Sequence, residues 1–192
     1  METPSANTAG AAAGTTDQQP LMEKNEKIKK MKVMVAIDES DGSFYALKWA
    51  LDHLFGPETN LEELGTVVMV HVQQPFQLHV FPAGPGGATF YATTTVVESV
   101  RKAQEENAAA VLSRALQMSK DKRIKAETLI LNGEPKEMIC QAAEQMNVDL
   151  LVVGSRGLGK FKRAFLGSVS DYCAHHAKCP ILIVKPPKES TK

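Results

Sequence analysis

Five short apolar runs, rich in β-branched residues, recur along this chain and constrain its fold more than any other feature. The runs are residues 31–37, 66–72, 125–131, 148–153 and 181–184. Segments with helical spacing of apolar residues separate them, at 43–55, 95–120, 135–147 and 168–177. Runs this apolar are typical of strands that are buried on both faces. The alternation therefore predicts an α/β fold, a single doubly wound α/β/α sandwich with a five-stranded parallel sheet.

The length and composition of the chain fit one domain. Its 192 residues, 43% of them hydrophobic, suffice for one compact core. We expect a folded domain over residues 31–187, with a long loop at 73–93, between tails at 1–30 and 188–192. Residues 1–20 are rich in Ala, Gly, Thr and Pro, so they offer too little apolar surface to offset their ordering entropy. We therefore expect the N-terminal tail to be disordered.

Charge and cysteine content restrict the partners and the compartment. The 22 Lys and Arg residues balance 22 Asp and Glu residues, so no net field favours nucleic acid or an anionic membrane. No apolar stretch approaches the roughly 20 residues that span a bilayer. The three cysteines form neither an even set nor a CxxC pair, which favours a reducing compartment. We expect a cytoplasmic protein; a nuclear location is compatible, and a plastid location is disfavoured because no Lys or Arg precedes Lys24.

The segment after the fourth predicted strand, residues 152–170, reads VVGSRGLGKFKRAFLGSVS and carries four glycines. Read from Gly154, it approaches a P-loop, but Phe161 stands where a P-loop needs a hydroxyl for Mg²⁺. A dinucleotide-binding fingerprint fails as well, since Lys162 replaces its third glycine. Two interpretations remain: a βα turn, or a ligand cradle with two ends.

The second interpretation uses both ends of this segment. Gly154 and Gly157 allow backbone to approach a ligand closely just after the strand. Gly167 precedes a predicted helix, whose free amide groups and dipole favour an anion. Taken alone, Ser168 is also explained as an ordinary helix N-cap, and Asp38 after the first strand as a cap or a ligand contact. We interpret the whole segment as a phosphate cradle built from its two ends.

The pattern Gly-x2-Gly-x9-Gly-Ser over residues 154–168 resembles the ATP-binding signature of the universal stress protein family, Gly-x2-Gly-x9-Gly-(Ser/Thr). The resemblance extends over residues 31–185. It includes the Asp that ends the first strand, His-Val at the end of the second, Gly-x-Pro after the third and Cys-Pro before the last. The run ALKWA at residues 46–50 is similar to plant members in particular.

The resemblance implies an adenine nucleotide alpha hydrolase-like, Rossmann-like fold that binds ATP, with Mg²⁺ held through the phosphates. It implies that residues 36–38 form the edge of the adenine pocket, that the Val72 backbone meets the base, and that residues 167–170 hold the phosphate chain. Arg156 is a further candidate because its charge suits phosphate. The candidate site residues are Ala36, Ile37, Asp38, Val72, Val153, Gly154, Arg156, Gly157, Gly167, Ser168, Val169 and Ser170.

The function that the resemblance implies is an ATP-binding stress-response regulator, in which nucleotide occupancy modulates homodimer or partner interactions. The last strand, Ile181, Leu182, Ile183 and Val184, is similar to the strand that pairs across a homodimer in this family; other protein partners are unknown. No carboxylate pair or Ser-His-Asp order indicates catalysis, so no catalytic residue is assigned. Two alternatives stay open: a slow ATPase, and a nucleotide-independent, chaperone-like interaction module.

A metal site is not expected from Cys173, His175, His176 and Cys179. On a helix, His175 and His176 point about 100° apart, and Cys179 lies at or beyond the helix end. These four side chains could not converge on a tetrahedral zinc ion without distortion.

Overall fold

The computed structural model describes residues 30–55, 65–75, 94–157 and 166–187. Within these ranges strands and helices alternate as predicted, and no end differs from its predicted position by more than two residues. In chain order the elements are β1 (Lys32–Ala36), α1 (Asp41–His53), β2 (Thr66–Gln73), α2 (Thr94–Asp121), β3 (Ala126–Asn132), α3 (Pro135–Gln145), β4 (Leu150–Gly154), α4 (Ser168–His176) and β5 (Ile181–Val184).

Several predicted features lie outside the described residues. These are nearly all of the N-terminal tail, the C-terminal tail, most of the predicted loop at 73–93, and residues 158–165 in the centre of the glycine-rich segment. Within the part of the chain that is described, no helix combines the length and apolar composition that crossing a membrane requires.

The strands form one parallel sheet in the order β3-β2-β1-β4-β5. The chain moves outward from β1 through β2 to β3, and then returns across β1 to β4 and β5. The order therefore reverses between β1 and β4, where Val33 pairs with Leu150 and Val35 pairs with Val152. Ligands of open α/β sheets bind at the carboxyl ends of the strands beside such a switch point. The predicted doubly wound sandwich is confirmed.

Alternating side chains of the central strands supply two hydrophobic cores, one on each face of the sheet. Val33 and Val35 belong to the core under α1 and α2, whereas Met34 and Ala36 belong to the core under α3 and α4. β1 and β4 are buried through their central residues, as their continuous apolar runs require. This packing holds the carboxyl ends of β1 and β4 at a fixed position relative to each other.

The prediction that the strands are buried on both faces is wrong for β3. Glu127, Thr128 and Ile130 are exposed, Ile130 to 43%. The physical reason is that β3 lies at an edge of the sheet and, among the described strands, pairs only with β2. β5 forms the opposite edge, and of its residues only Val184 is buried.

The turn between β3 and α3 brings the start of α3 to the carboxyl edge of the sheet. Gly133 has φ of 146°, a conformation that favours glycine. Pro135 then occupies the start of α3, as predicted, because its ring presets a helical φ and it lacks an amide that would need a partner there. The first turn of α3 therefore lies beside the ends of the central strands.

Candidate functional site

A cavity of about 880 Å³ opens at the carboxyl ends of β1, β2 and β4, beside the first turns of α3 and α4. Its volume falls within the roughly 300–1,000 Å³ that is typical of small-molecule sites. All twelve candidate residues predicted from the sequence line this cavity. The fold therefore brings them together from β1, β2, β4, α4 and the loops between them.

Helix α4 begins at the cavity without a side-chain cap. Gly167 occupies the N-cap position, with φ of −70° and ψ of 157°, and makes no side-chain cap hydrogen bond. Ser168 is the first helical residue, so the interpretation of Ser168 as the N-cap is wrong. The first amide groups of a helix have no partner within the helix, and together with the helix dipole they favour an anion at this end.

Ser170 stabilises the start of α4 from inside the protein. Its side chain is buried, and its hydroxyl lies 3.2 Å from the Ser155 carbonyl oxygen and 2.9 Å from that of Gly167. The Gly167 amide donates to the same Ser155 carbonyl at 2.8 Å. These bonds attach α4 to the end of β4. Ser168, in contrast, is exposed on the cavity wall, so its hydroxyl is the better placed of the two to meet a ligand.

Asp38 follows β1 and is held in place by the start of α1. Its Oδ1 accepts a hydrogen bond from the Ser40 amide at 3.0 Å and another from the Ser40 hydroxyl. The N-cap of α1 is Ser40, which accepts from the Ser43 amide at 3.2 Å, so the alternative that Asp38 caps this helix is wrong. The half-buried Asp38 carboxylate lies on the cavity wall with its orientation fixed.

Glycines let the backbone pack closely around the cavity. A Cβ on Gly157 would lie 2.5 Å from Asp38 Oδ2. A Cβ on Gly154 would lie 3.0 Å from the Gly42 carbonyl, and one on Gly42 would lie 2.6 Å from the Arg156 carbonyl oxygen. The loop after β4 and the start of α1 thus interlock. From the sequence we predicted that Gly154 serves only ligand binding. In the structure, the absence of a Cβ at Gly154 makes room for the start of α1.

The wall of the cavity on the side of α3 is apolar. Val72, Ile139, Val153 and Val169 line the cavity and belong to, or pack against, the core on that face. Flat rings bury well between such side chains, while polar groups at the ring edge reach backbone or side-chain partners. This half of the cavity therefore suits a nucleobase rather than a charged group.

The wall formed by α2 is polar, and the sequence did not predict it. Gln73 Nε2 donates to the Gln104 carbonyl at 2.9 Å, and Gln104 Nε2 donates to the Gln74 carbonyl at 2.9 Å. Asn107 donates from Nδ2 to the Glu39 carboxylate. These bonds attach α2 to the ends of β1 and β2. In the sequence, the polar residues that follow His-Val in β2 were the only indication of this polar wall, because α2 reaches the cavity through tertiary packing.

His71 also lines the cavity, although it was not among the twelve candidate residues. It is 6% exposed, and its Nδ1 lies 2.9 Å from the Ile37 carbonyl oxygen. The Ile37 amide donates to the Val70 carbonyl at 2.9 Å. Both backbone groups of Ile37 are therefore attached to β2, which sets the course of the chain between β1 and Asp38.

The thiols lie in and beside α3 and α4, and none of the three cysteines lines the cavity. The sulfur atoms of Cys140 and Cys173 are 3.5 Å apart, and these two cysteines and Cys179 are all free. Burial raises the pKa of all three thiols, so they stay protonated at neutral pH and are poor nucleophiles. His175 and His176 each place Nδ1 against a carbonyl of the preceding turn. Among the described residues, no group of three His, Cys, Asp or Glu side chains is arranged to hold a metal ion.

Known proteins are similar to this chain in sequence and in fold. The model of the universal stress protein family matches residues 30–185. The chain is 28% identical to a universal stress protein A-like protein of Arabidopsis thaliana, over 83% of this chain and 93% of that protein. It is 32% identical to universal stress protein YxiE of Bacillus subtilis (strain 168), over 80% of this chain and 98% of that protein.

Among solved structures, the chain is similar to a universal stress protein family protein from Arabidopsis thaliana, crystallised with AMP bound. The TM-score is 0.58 at 25% sequence identity, and the match covers 84% of this chain and 95% of that one. The likeness confirms the predicted adenine nucleotide alpha hydrolase-like fold.

Proposed function

The chain belongs to the universal stress protein family, and from that membership we propose that it binds an adenine nucleotide, ATP, and acts as a regulator. The observation that carries the proposal is the start of α4, which faces the cavity without a side-chain cap. The same cavity has an apolar wall on the side of α3. A ligand with one anionic end and one flat, largely apolar end fits both features.

The phosphates are assigned to the start of α4. Its first amide groups and the Ser168 hydroxyl are hydrogen-bond donors, and phosphate oxygens are strong acceptors. Gly167 keeps a side chain out of this approach. Arg156 lines the same cavity and adds a positive charge. This run of donors supports a ligand with a phosphate chain rather than a neutral nucleoside.

The adenosine is assigned to the ends of β1 and β2. Val153 offers apolar surface to a base, the Val72 backbone meets the base, and the Asp38 carboxylate accepts hydrogen bonds from donor groups of the nucleoside. The Arabidopsis relative crystallised with AMP supports an adenine nucleotide here. Mg²⁺ bound through the phosphates would neutralise part of their charge.

The regulatory part of the proposal rests on the connection between the cavity and β5. A nucleotide at this site would touch the start of α4, and β5 follows α4 after a short connection at the edge of the sheet. We propose that β5 pairs with β5 of a second copy, so that nucleotide occupancy influences the dimer. The free, protonated thiols support a reducing compartment, and we propose the cytoplasm.

A calorimetric titration of nucleotide-stripped protein with ATP and Mg²⁺ tests the proposal. We expect saturable binding by the wild type, and binding that is weaker by about tenfold or more in Gly167→Val, because its side chain crowds Arg156 and the helix start. Ala174→Val, on the exposed surface of the same helix, is the matched control and should bind like the wild type. No heat from the wild type, confirmed by equilibrium dialysis, would contradict the proposal and favour a nucleotide-independent interaction module.

A further inference from the structure

The outer edge of β3 presents a continuous row of backbone groups. The Val67 amide of β2 donates to the Lys125 carbonyl at 3.2 Å, just before β3 begins. The Gly133 amide, just after β3, donates to the Gln73 carbonyl at 2.9 Å. Alternate residues of a parallel strand bond to the same neighbour, so the odd-numbered residues of this segment bond to β2. The even-numbered residues therefore direct their amide and carbonyl groups away from the sheet: Ala126, Thr128, Ile130 and Asn132.

This edge lacks the features that usually prevent a strand from pairing with another chain. The register of β3 with β2 continues from Ala126 to Asn132 without a bulge. None of the four outward-pointing positions of β3 holds a proline or a charged residue. Ile130, in the outward-pointing row, is 43% exposed. A long and regular edge of this kind is open to the addition of a further strand.

The side chains of β3 divide between the two faces of the sheet. Leu129 and Leu131 pack against the core on the side of α3 and α4, whereas Ala126 packs against the core under α1 and α2. Because side chains alternate along a strand, Thr128 and Ile130 lie on the face of α2. Both of these side chains are exposed, so α2 does not cover them. A strand added at this edge would cover part of both.

The sequence of β3 is complementary to itself in an antiparallel arrangement. A register centred on Leu129 overlaps all seven residues of the strand. It pairs Thr128 of one copy with Ile130 of the other through their outward-pointing backbone groups, and the two-fold axis repeats this pair. It also places the two Leu129 side chains opposite each other. Cross-strand pairs of side chains are the contacts that stabilise a sheet.

The charged residues of this segment agree with the same register. Lys125 of one copy lies opposite Gly133 of the other, beside Glu134 at the start of α3. Lys125 and Glu134 are both exposed, so the long lysine side chain can reach the carboxylate. The two-fold axis gives this contact twice. Glu127 lies opposite Leu131, so the register pairs no two like charges directly.

We propose that the outer edge of β3 is an interaction surface for a second copy of this chain, with the two β3 strands antiparallel and centred on Leu129. The same surface is used on both copies, so this contact closes after two chains. β3 carries polar residues, whereas β5 is entirely apolar, so the contact through β3 is the weaker of the two. The two strands lie at opposite edges of the sheet. Pairing through both would therefore join the copies into a linear assembly with alternating contacts.

A cysteine substitution tests the register directly. The Cα atoms of a non-hydrogen-bonded antiparallel pair are about 4.5 Å apart, which a disulfide can span. Under mild oxidation, Leu129→Cys should therefore give a covalent dimer on a non-reducing gel. Glu127→Cys is the matched control, because its introduced thiols lie four residues out of register between the two copies. The wild type, with its three native cysteines, gives the background.

We expect Leu129→Cys to give about tenfold more covalent dimer than Glu127→Cys. Equal yields from the two folded variants would overturn the proposed pairing. So would a yield from Leu129→Cys that does not exceed the wild-type background, because the two strands would then not meet at this residue.

A proline substitution tests whether the outward-pointing amides hold the copies together. Thr128→Pro removes one such amide and leaves the bonds to β2 in place, whereas the matched control Thr128→Val keeps it. Each is combined with Ile183→Pro, which removes an outward-pointing amide of β5, and sedimentation velocity is measured up to high protein concentration. We expect the protein with Thr128→Val to dimerise and the protein with Thr128→Pro to associate about tenfold more weakly. Equal association of the two folded proteins would overturn the inference. So would a control that stays monomeric throughout, which would leave the edge to a strand of another protein.

A charge exchange tests the contact between Lys125 and Glu134. Lys125→Glu should weaken the association through β3 by about threefold to tenfold, because two ion pairs are each replaced by like charges. Adding Glu134→Lys to the same protein should restore the association, since the pairs then form with their charges exchanged. Failure of the second substitution to restore it would overturn the register centred on Leu129.

Discussion

A Cβ on Gly157 would stand 2.5 Å from Oδ2 of Asp38, so the Asp38 carboxylate occupies the space that a side chain at residue 157 needs. The other oxygen of this carboxylate is held by the amide and hydroxyl of Ser40. The end of β1 and the loop after β4 therefore meet in one contact, on opposite sides of the sheet's switch point. Because the contact lies on the cavity wall, it connects packing to ligand binding.

Gly157→Ala is expected to weaken ATP binding by about tenfold to hundredfold and to change stability little. The added methyl group displaces a carboxylate oxygen, and a hydrogen bond to a charged group contributes about 1.5–3 kcal/mol. The cost in stability is small because the displaced atom is the end of a half-buried side chain, not backbone. Titration calorimetry gives the affinity, and urea denaturation gives the free energy of unfolding.

A double-mutant cycle with Asp38→Ala shows whether Gly157 acts through the carboxylate. In the Asp38→Ala protein there is no carboxylate to displace, so Gly157→Ala should cause little further loss of affinity. If the losses from the two substitutions simply add, Gly157 serves the ligand directly, and the contact with Asp38 is not the cause.

The free energy of unfolding is expected to fall as the pH rises above about 9, partly because of Cys173. Burial is the main cause that raises the pKa of this thiol above its usual value of 9.0. The unfolded chain therefore releases the proton at a pH where the folded protein still holds it, so rising pH favours the unfolded chain. This contribution to stability is complete below pH 9.0 and is lost towards the raised pKa, by up to about 1.4 kcal/mol per pH unit.

Urea denaturation of the wild type and Cys173→Ala, at about pH 7.5 and about pH 10, separates this thiol from the other groups that titrate there. Cys173→Ala should be less stable than the wild type at the lower pH, because it leaves a small cavity in a fully buried position. The difference between the two proteins should narrow at the higher pH. A constant difference would mean that the Cys173 thiol has the same pKa in the folded and unfolded chains.

The order of elements was predictable because the central strands are unbroken apolar runs. β1 and β4 are buried on both faces, as their almost entirely apolar composition predicts. β3 carries three polar residues, Glu127, Thr128 and Asn132, and much of it is exposed because it lies at an edge of the sheet. Sheet order is set by contacts between distant segments, and a single strand's sequence does not contain it.

The candidate site likewise contains residues that the sequence could predict and residues that it could not. The residues around the phosphate assignment belong to two short stretches next to β4 and α4, so their spacing is visible in the sequence. The α2 wall is not visible in the sequence, because its contacts join distant residues. Asn107 and Glu39 are 68 positions apart, and Gln104 and Gln73 are 31 positions apart. His71 was visible as part of a motif, but its contact with the Ile37 carbonyl, just after β1, depends on the pairing of distant segments.

The outer edge of β5 carries backbone groups that pair with no other strand of the described residues. Amides at the ends of β4 donate to the carbonyl oxygens of Pro180 and Val184. Alternate residues of a parallel strand bond to the same neighbour, so the amide of Ile183 faces away from β4. An edge with outward donors and an apolar sequence is suited to pairing with a second copy.

Ile183→Pro is expected to weaken the proposed homodimer by about tenfold or more, because proline removes this outward donor without disturbing the bonds to β4. Sedimentation velocity over a range of protein concentrations measures the effect, and circular dichroism verifies the fold. Ile183→Val is the matched control: it keeps the amide and most of the packing against α3 and α4, so it should dimerise like the wild type. If a folded Ile183→Pro protein is as dimeric as Ile183→Val, the two copies do not pair through β5.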